Sequence, residues 1–133
     1  MDSEKRRLEK CLSEHSKDGN VTVEEHNGKT IYQFDLIIDD SENRWGDIQP
    51  KVSAVSVEDG FVKSYNIRIG ELDSEEKVNE MRDKILNSRP PCIDKFDTGH
   101  SDKVIQPHIR MNEDRCSIKQ FTDFLNRLMS KIS

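Results

Sequence analysis

A chain of 133 residues with 26 acidic and 21 basic side chains fits one domain, and its net charge of −5 excludes a broad phosphate-tracking surface. No run approaches the ~18 apolar residues of a bilayer span, and no low-complexity tract or internal repeat interrupts the chain. Only 32% of residues are hydrophobic and 35% are charged, yet the apolar ones gather in periodic segments. That pattern predicts a compact core under a charged surface, and the whole of residues 1–133 reads as a single α+β domain. Cys11, Cys92 and Cys116 are odd in number and far apart, and Met1 to Lys10 is charged throughout with no apolar signal core. A reduced, cytoplasmic chain is the expectation.

The first element is a helix over Ser3 to His15, with Leu8, Cys11, Leu12 and His15 on one face. Residues 1–17 are expected at the edge of the domain, loosely attached, and Asp18-Gly19-Asn20 is read as the stop of the helix. Asn27-Gly28 then lies between two β-prone runs, as a two-residue type I′ turn requires, because both central residues need positive φ. Counting outward from it sets Val23 opposite Tyr32 and Val21 opposite Phe34, with Leu36 and Ile38 extending that face.

Asp39 to Pro50 reads as a polar loop whose Trp45 either anchors a partner or folds back over the core, the second being favoured. A second hairpin follows over Lys51 to Ile69, turning at Asp59-Gly60. Unbroken pairing from that turn sets Ala54 opposite Tyr65 and Val52 opposite Ile67. Asp73 with Glu76 forms a capping box for a helix whose stripe is Val78, Met81 and Ile85, with Leu86 beside it, ended by Arg89-Pro90-Pro91. A Gly-containing loop leads into a strand over Lys103 to Met111. The last helix opens on a Ser117/Gln120 capping box and carries Ile118, Phe121, Leu125, Leu128 and Ile132 as its apolar stripe. The expected architecture has two layers: an antiparallel sheet of four to five strands packed by helices near 74–88 and 117–132, with the N-terminal helix at the edge.

Reactive side chains are densest between Asp94 and Glu113. If Ile93 to Asp97 and Ile105 to Met111 are neighbouring strands, Asp97, His100, His108 and Arg110 converge at one edge, and the last two share a face. Such a set suits metal-independent phosphodiester cleavage: a histidine deprotonates the attacking hydroxyl, an arginine meets the added negative charge, and a carboxylate orients the imidazole. The competing reading is a polar loop with surface histidines. A third is a Cys2His2 metal site from Cys92, His100, His108 and Cys116, spaced every eight residues, although structural zinc sites normally use close ligand pairs. A set of Asp97, His100 and His108 is a further metal reading. No cofactor is called for. His26 beside a turn, and the Lys5, Arg6, Arg7 and Lys10 cations interleaved with Glu4 and Glu9, read as solvated surface.

Asp94-Lys95-Phe96-Asp97-Thr98-Gly99-His100, then Pro107-His108-Ile109-Arg110, then a helix with Phe121, Phe124 and Leu125, resembles the C-terminal half of the TumE-like toxin families of toxin–antitoxin modules. The likeness spans the last third of the chain. It departs from the family at Arg110, where a second histidine is usual, and at Thr98, where asparagine is frequent. The resemblance implies a toxin acting on RNA with a cognate antitoxin as partner. The rival class is a non-catalytic module: an acidic inhibitor, antitoxin-like protein or adaptor that binds a protein, or a second copy of itself, through a sheet edge or the C-terminal helix.

Overall fold

A computed structural model describes residues 2–38, 45, 48, 51–70, 72–91, 93–101, 104–111 and 116–132, the strands between 93 and 111 by their backbone alone. Its elements run α1 (Asp2–Glu14), β1 (Ser16–His26), β2 (Lys29–Leu36), β3 (Val52–Glu58), β4 (Phe61–Arg68), α2 (Glu75–Asn87), β5 (Ile93–Ser101), β6 (Val104–Met111), β7 (Cys116–Ser117) and α3 (Ile118–Ile132). The architecture is the expected α+β arrangement, an antiparallel sheet with helices packed against it, and the sheet is longer than four or five strands. Its order is β1-β2-β3-β4-β6-β5, with β7 paired to β4.

The first hairpin forms as its turn dictates. Asn27 and Gly28 have φ of 52° and 82°, and Val23 pairs with Tyr32 and Val21 with Phe34. Tyr32, Phe34 and Leu36 are buried, whereas β1 is exposed along most of its length. Asp18-Gly19 proves to be something other than a helix stop. The helix already ends at Glu14, β1 starts at Ser16, and the pairing with β2 is irregular between Ser16 and Val21. Asp18 and Gly19, at φ of 57° and 69°, turn the backbone within that irregular stretch.

The second hairpin corrects the unbroken pairing. Asp59 and Gly60 make the same left-handed turn, and Glu58 pairs with Phe61 and Val57 with Val62, but Ser56 then pairs with Ser64. Lys63 is the extra residue of a β-bulge, so Val55, not Ala54, lies opposite Tyr65. The reason is hydrophobic phase. In β4 the apolar residues fall at Val62, Tyr65 and Ile67, a spacing of three and then two, and only a bulge lets a strand bury all of them on one face. Val55 and Val57 bury with them, while Val52 is half exposed. Lys63 interrupts the ladder and otherwise makes a solvent-exposed ion pair with Glu58 at 3.0 Å, so its deletion is expected to restore regular pairing. A urea melt should move by no more than about 1 kcal/mol, the size of one hydrogen bond, and loss of the native spectrum would contradict the assignment of the bulge.

The core lies between this sheet face and the helices. Leu8 and Leu12 of α1, Val78, Met81 and Ile85 of α2, and Ile118, Phe121, Phe124, Leu125 and Leu128 of α3 are sealed from solvent beside Tyr65, Ile67 and Ile69. Leu86 stays largely exposed. Ser74, not Asp73, caps α2 by accepting from the Lys77 amide, and Asp73 instead pairs with the Lys77 ammonium at 2.9 Å. The α3 capping box is reciprocal: the Gln120 amide donates to Ser117 Oγ and the Ser117 amide to Gln120 Oε1. Trp45 is buried and donates from Nε1 to the Ile132 carbonyl at 2.8 Å, the folded-back alternative. Arg127 and Lys131 of α3 donate to the carbonyls of Ser88 and Asn87, neutralising the C-terminal end of α2.

Candidate functional site: a cross-strand row on the open sheet face

One sheet face carries the helices. The residues of the other face, Lys29, Ile31, Gln33 and Asp35 on β2, Val52, Ala54, Ser56 and Glu58 on β3, and Ser64, Asn66 and Arg68 on β4, are all partly or fully exposed. This open face is where register brings together groups that are distant in sequence.

Strand β6 lies between β4 and β5, pairing His108 with Arg68 on one side and with Asp97 on the other. A carboxylate, an imidazole and a guanidinium therefore occupy consecutive positions of one transverse row, with strands ~4.8 Å apart. The adjacent row, two residues along, reads Thr22, Gln33, Ala54, Asn66, Arg110 and Lys95 across all six strands. Pleat alternation puts positions 97, 108 and 110 in phase with Asn66 and Arg68, on the open face. His100 pairs with Ile105 and is in the other phase, together with Phe96 and Ile109, whose partner Ile67 is buried in the core. The described backbone thus joins Asp97, His108 and Arg110 in one phase and leaves His100 out of it. Their side chains lie outside the described residues.

Two features fix this locus. The pairing of β3 with β4 ends at the Ala54–Asn66 pair, and the Ser53 hydroxyl takes over by accepting from the Arg68 amide at 2.9 Å. Ser53 is fully buried, so the Arg68 backbone is held from the core side. Pro107 is the adjoining position: it has no N–H, and the β4 ladder stops at His108, the residue that follows it in the chain. Residues 98–101 and 104–107 continue as a two-stranded ribbon beyond the sheet. The segment read as a Gly-containing loop is therefore strand up to Ser101.

The Cys2His2 reading meets a distance problem. Cys116 pairs with Val62, six residues along β4 from the partner of His108, a separation of roughly 20 Å at strand rise. Ligands of one zinc ion sit about 2.0–2.3 Å from it, so Cys116 and His108 cannot share an ion; Cys92 lies outside the described residues. Among the described residues no cluster of three His, Cys, Asp or Glu side chains is arranged to hold a metal.

A second polar cluster joins α1 to α3. Asn126 Oδ1 receives Cys11 Sγ at 3.6 Å and His15 Nε2 at 2.8 Å. Burial, followed by the charges of Glu14 and Asp123, pushes the Cys11 thiol up to about 11. A thiol that stays protonated is a poor nucleophile, and this trio acts as a polar clamp between helices. His26 is an exposed partner of Glu24 at 3.3 Å.

Comparison with protein-family models, with curated proteins and with solved structures finds no match for this chain. Among the described residues no helix is long and apolar enough to cross a membrane.

Arg68 and Asn66 are not legible in the sequence as neighbours of this row, because they belong to the second hairpin, 40 and 44 residues before their partners His108 and Arg110. The signal is the Tyr65–Ile67 alternation, which buries those two side chains and so assigns Asn66 and Arg68 to the open face.

Proposed function

We propose that this chain is a small, metal-independent ribonuclease of the toxin type, with Asp97, His108, Arg110 and Arg68 as its working groups. The observation that carries the reading is the transverse row in which His108 stands in register between Asp97 and Arg68. In the proposed reaction the His108 imidazole accepts the proton of a ribose 2′-hydroxyl. The 2′-oxygen bonds to the adjacent phosphorus, and the phosphorus–O5′ bond breaks. The departing 5′-oxygen takes a proton from water, leaving a 2′,3′-cyclic phosphate and a 5′-hydroxyl end, and the His108 imidazolium returns its proton to the hydroxide so formed. Asp97 orients the imidazole and favours its protonated form, and Arg110 and Arg68 stabilise the doubly charged phosphorane. His100, in the opposite phase, has no step in this scheme. The likeness of segment 94–110 to TumE-like toxins supports the same chemistry, and an antitoxin is the class of protein partner it calls for.

A net charge of −5 favours the rival binding module, yet two of its surfaces are poor. The apolar stripe of α3 is buried in the core. Edge strand β1 carries a backbone irregularity and a run of charges, features that discourage strand addition.

The test is incubation of the purified chain with single-stranded RNA in the presence of a chelator. Fragments ending in 2′,3′-cyclic phosphate are expected. Intact RNA, or cleavage that stops on chelation, would overturn the reading.

A further inference from the structure

Beside the proposed catalytic row, the open face holds a hollow of about 380 Å³ lined by Lys29, Ile31, Ala54, Ser56, Ser64 and Asn66. Its floor is shallow because Ala54, Ser56 and Ser64 are small, while Ile31 gives an apolar wall and Lys29 a cation at the far end. The size is within the range of small-ligand sites. Two of its polar atoms, Ser56 Oγ and Asn66 Oδ1, are covered by neighbouring atoms and make no hydrogen bond among the described residues. Leaving such groups unpaired costs about 1–3 kcal/mol each, and a side-chain rotation that turns either oxygen into the hollow recovers that cost against a ligand's N–H.

The position of Asn66 connects this hollow to the row. It pairs with Ala54 on one side and with Arg110 on the other, and it stands two residues, roughly 7 Å, along β4 from Arg68. A phosphate at the Arg68–His108–Arg110 locus would therefore have its own nucleoside within reach of the hollow. Arg110 pairs with Lys95, and Arg68 stands one row along in register with His108 and Asp97, so three cationic positions and one acidic position share this side of the open face in a chain whose net charge is −5. Charge here matches a polyanion, and the hollow matches a flat, amide-like ring with hydrogen-bonding edges.

We infer that this hollow is a nucleobase subsite, holding one unpaired base of a single-stranded RNA next to the phosphate that is cleaved. The inference rests on the ribonuclease reading and names its substrate class. Asn66 and Ser56 read the base edge, Ile31 and Ala54 contact its plane, and a base within a duplex is excluded because its edge is already paired.

The experiment reads binding, so that it is separable from catalysis. The ¹⁵N-labelled full chain is titrated with the four ribonucleoside 3′-monophosphates and with inorganic phosphate. At least one nucleotide is expected to bind at least about tenfold more tightly than phosphate, the worth of one to two hydrogen bonds, shifting the amides of Ile31, Ala54, Ser56, Ser64 and Asn66. Ala54→Leu, which fills the floor, is expected to reduce nucleotide affinity to that of phosphate; Ser64→Leu, from an exposed position on the neighbouring strand, should do the same. Equal binding of all five probes, shifts confined to other surfaces, or unaltered nucleotide affinity in both variants would overturn the inference. Base-selective binding at the hollow without RNA cleavage by the wild type would leave the subsite standing and remove the ribonuclease reading. Cleavage without base selectivity would do the reverse.

Discussion

Phe121→Ala is expected to lower the unfolding free energy by about 3–5 kcal/mol, the cost of emptying a large aromatic site in a core that cannot fully collapse. The ring is fully buried, 5.0 Å from the Tyr65 ring and 6.2 Å from the Phe124 ring, and these three aromatics hold α3 to the centre of the sheet. Tyr65 adds a second tie, donating from its hydroxyl to the Pro91 carbonyl at 2.8 Å just before β5 begins. Removing Phe121 thus undermines the packing on which β4, and through it β6, is positioned. Against a typical total of about 5–15 kcal/mol, the variant should melt far below the wild type in urea. Tyr65→Phe, which keeps the ring and loses one hydrogen bond, is expected to cost only about 1 kcal/mol. Equal losses in the two variants would show that the aromatic cluster does not organise the core.

His108→Ala is expected to reduce RNA cleavage by about 10²–10⁴-fold, the usual contribution of a positioned general base. The substitution falls at an open-face position, so the urea midpoint should stay near that of the wild type while activity falls. Arg110→Ala should lower the rate constant of the chemical step by about 10²–10³-fold, because a guanidinium that meets charge developing in the transition state acts there more than on substrate affinity. His100→Ala, in the opposite phase, should leave the rate within a few-fold. Loss of cleavage in His100→Ala with full activity in His108→Ala would reverse the roles drawn from register and remove the transverse row as the site.

Much of the fold is legible in local chemistry. Asn27-Gly28 and Asp59-Gly60 specify tight turns because both central positions need positive φ, and the pairing nearest each turn follows from geometry alone. The α3 stripe and its Ser117/Gln120 box are equally local. The expectation that residues 93–97 and 105–111 are neighbouring strands also rests on short-range pattern, and the Asp97–His108 pairing follows once Ser101 pairs with Val104. Where local reading went astray, a non-local demand decided. Asp18-Gly19 looks like a helix stop until Ser16 is required opposite Leu36. Ala54 looks like a core position until the burial of Tyr65 and Ile67 forces Lys63 out of the ladder.

The amino-acid order alone determines the helices, the turns and the apolar phases, because these depend on contacts between residues a few positions apart. Only the folded sheet decides that β6 inserts between β4 and β5, since strand order depends on which faces must be buried together and not on any neighbour in the chain. That insertion sets Arg68 beside His108 and Asn66 beside Arg110, next to the hollow over Ala54, Ser56 and Ser64. The proposed chemistry therefore belongs to the tertiary structure: its groups come from β4, β5 and β6, and spacing that sets the register within a hairpin holds no information about which other hairpin lies beside it.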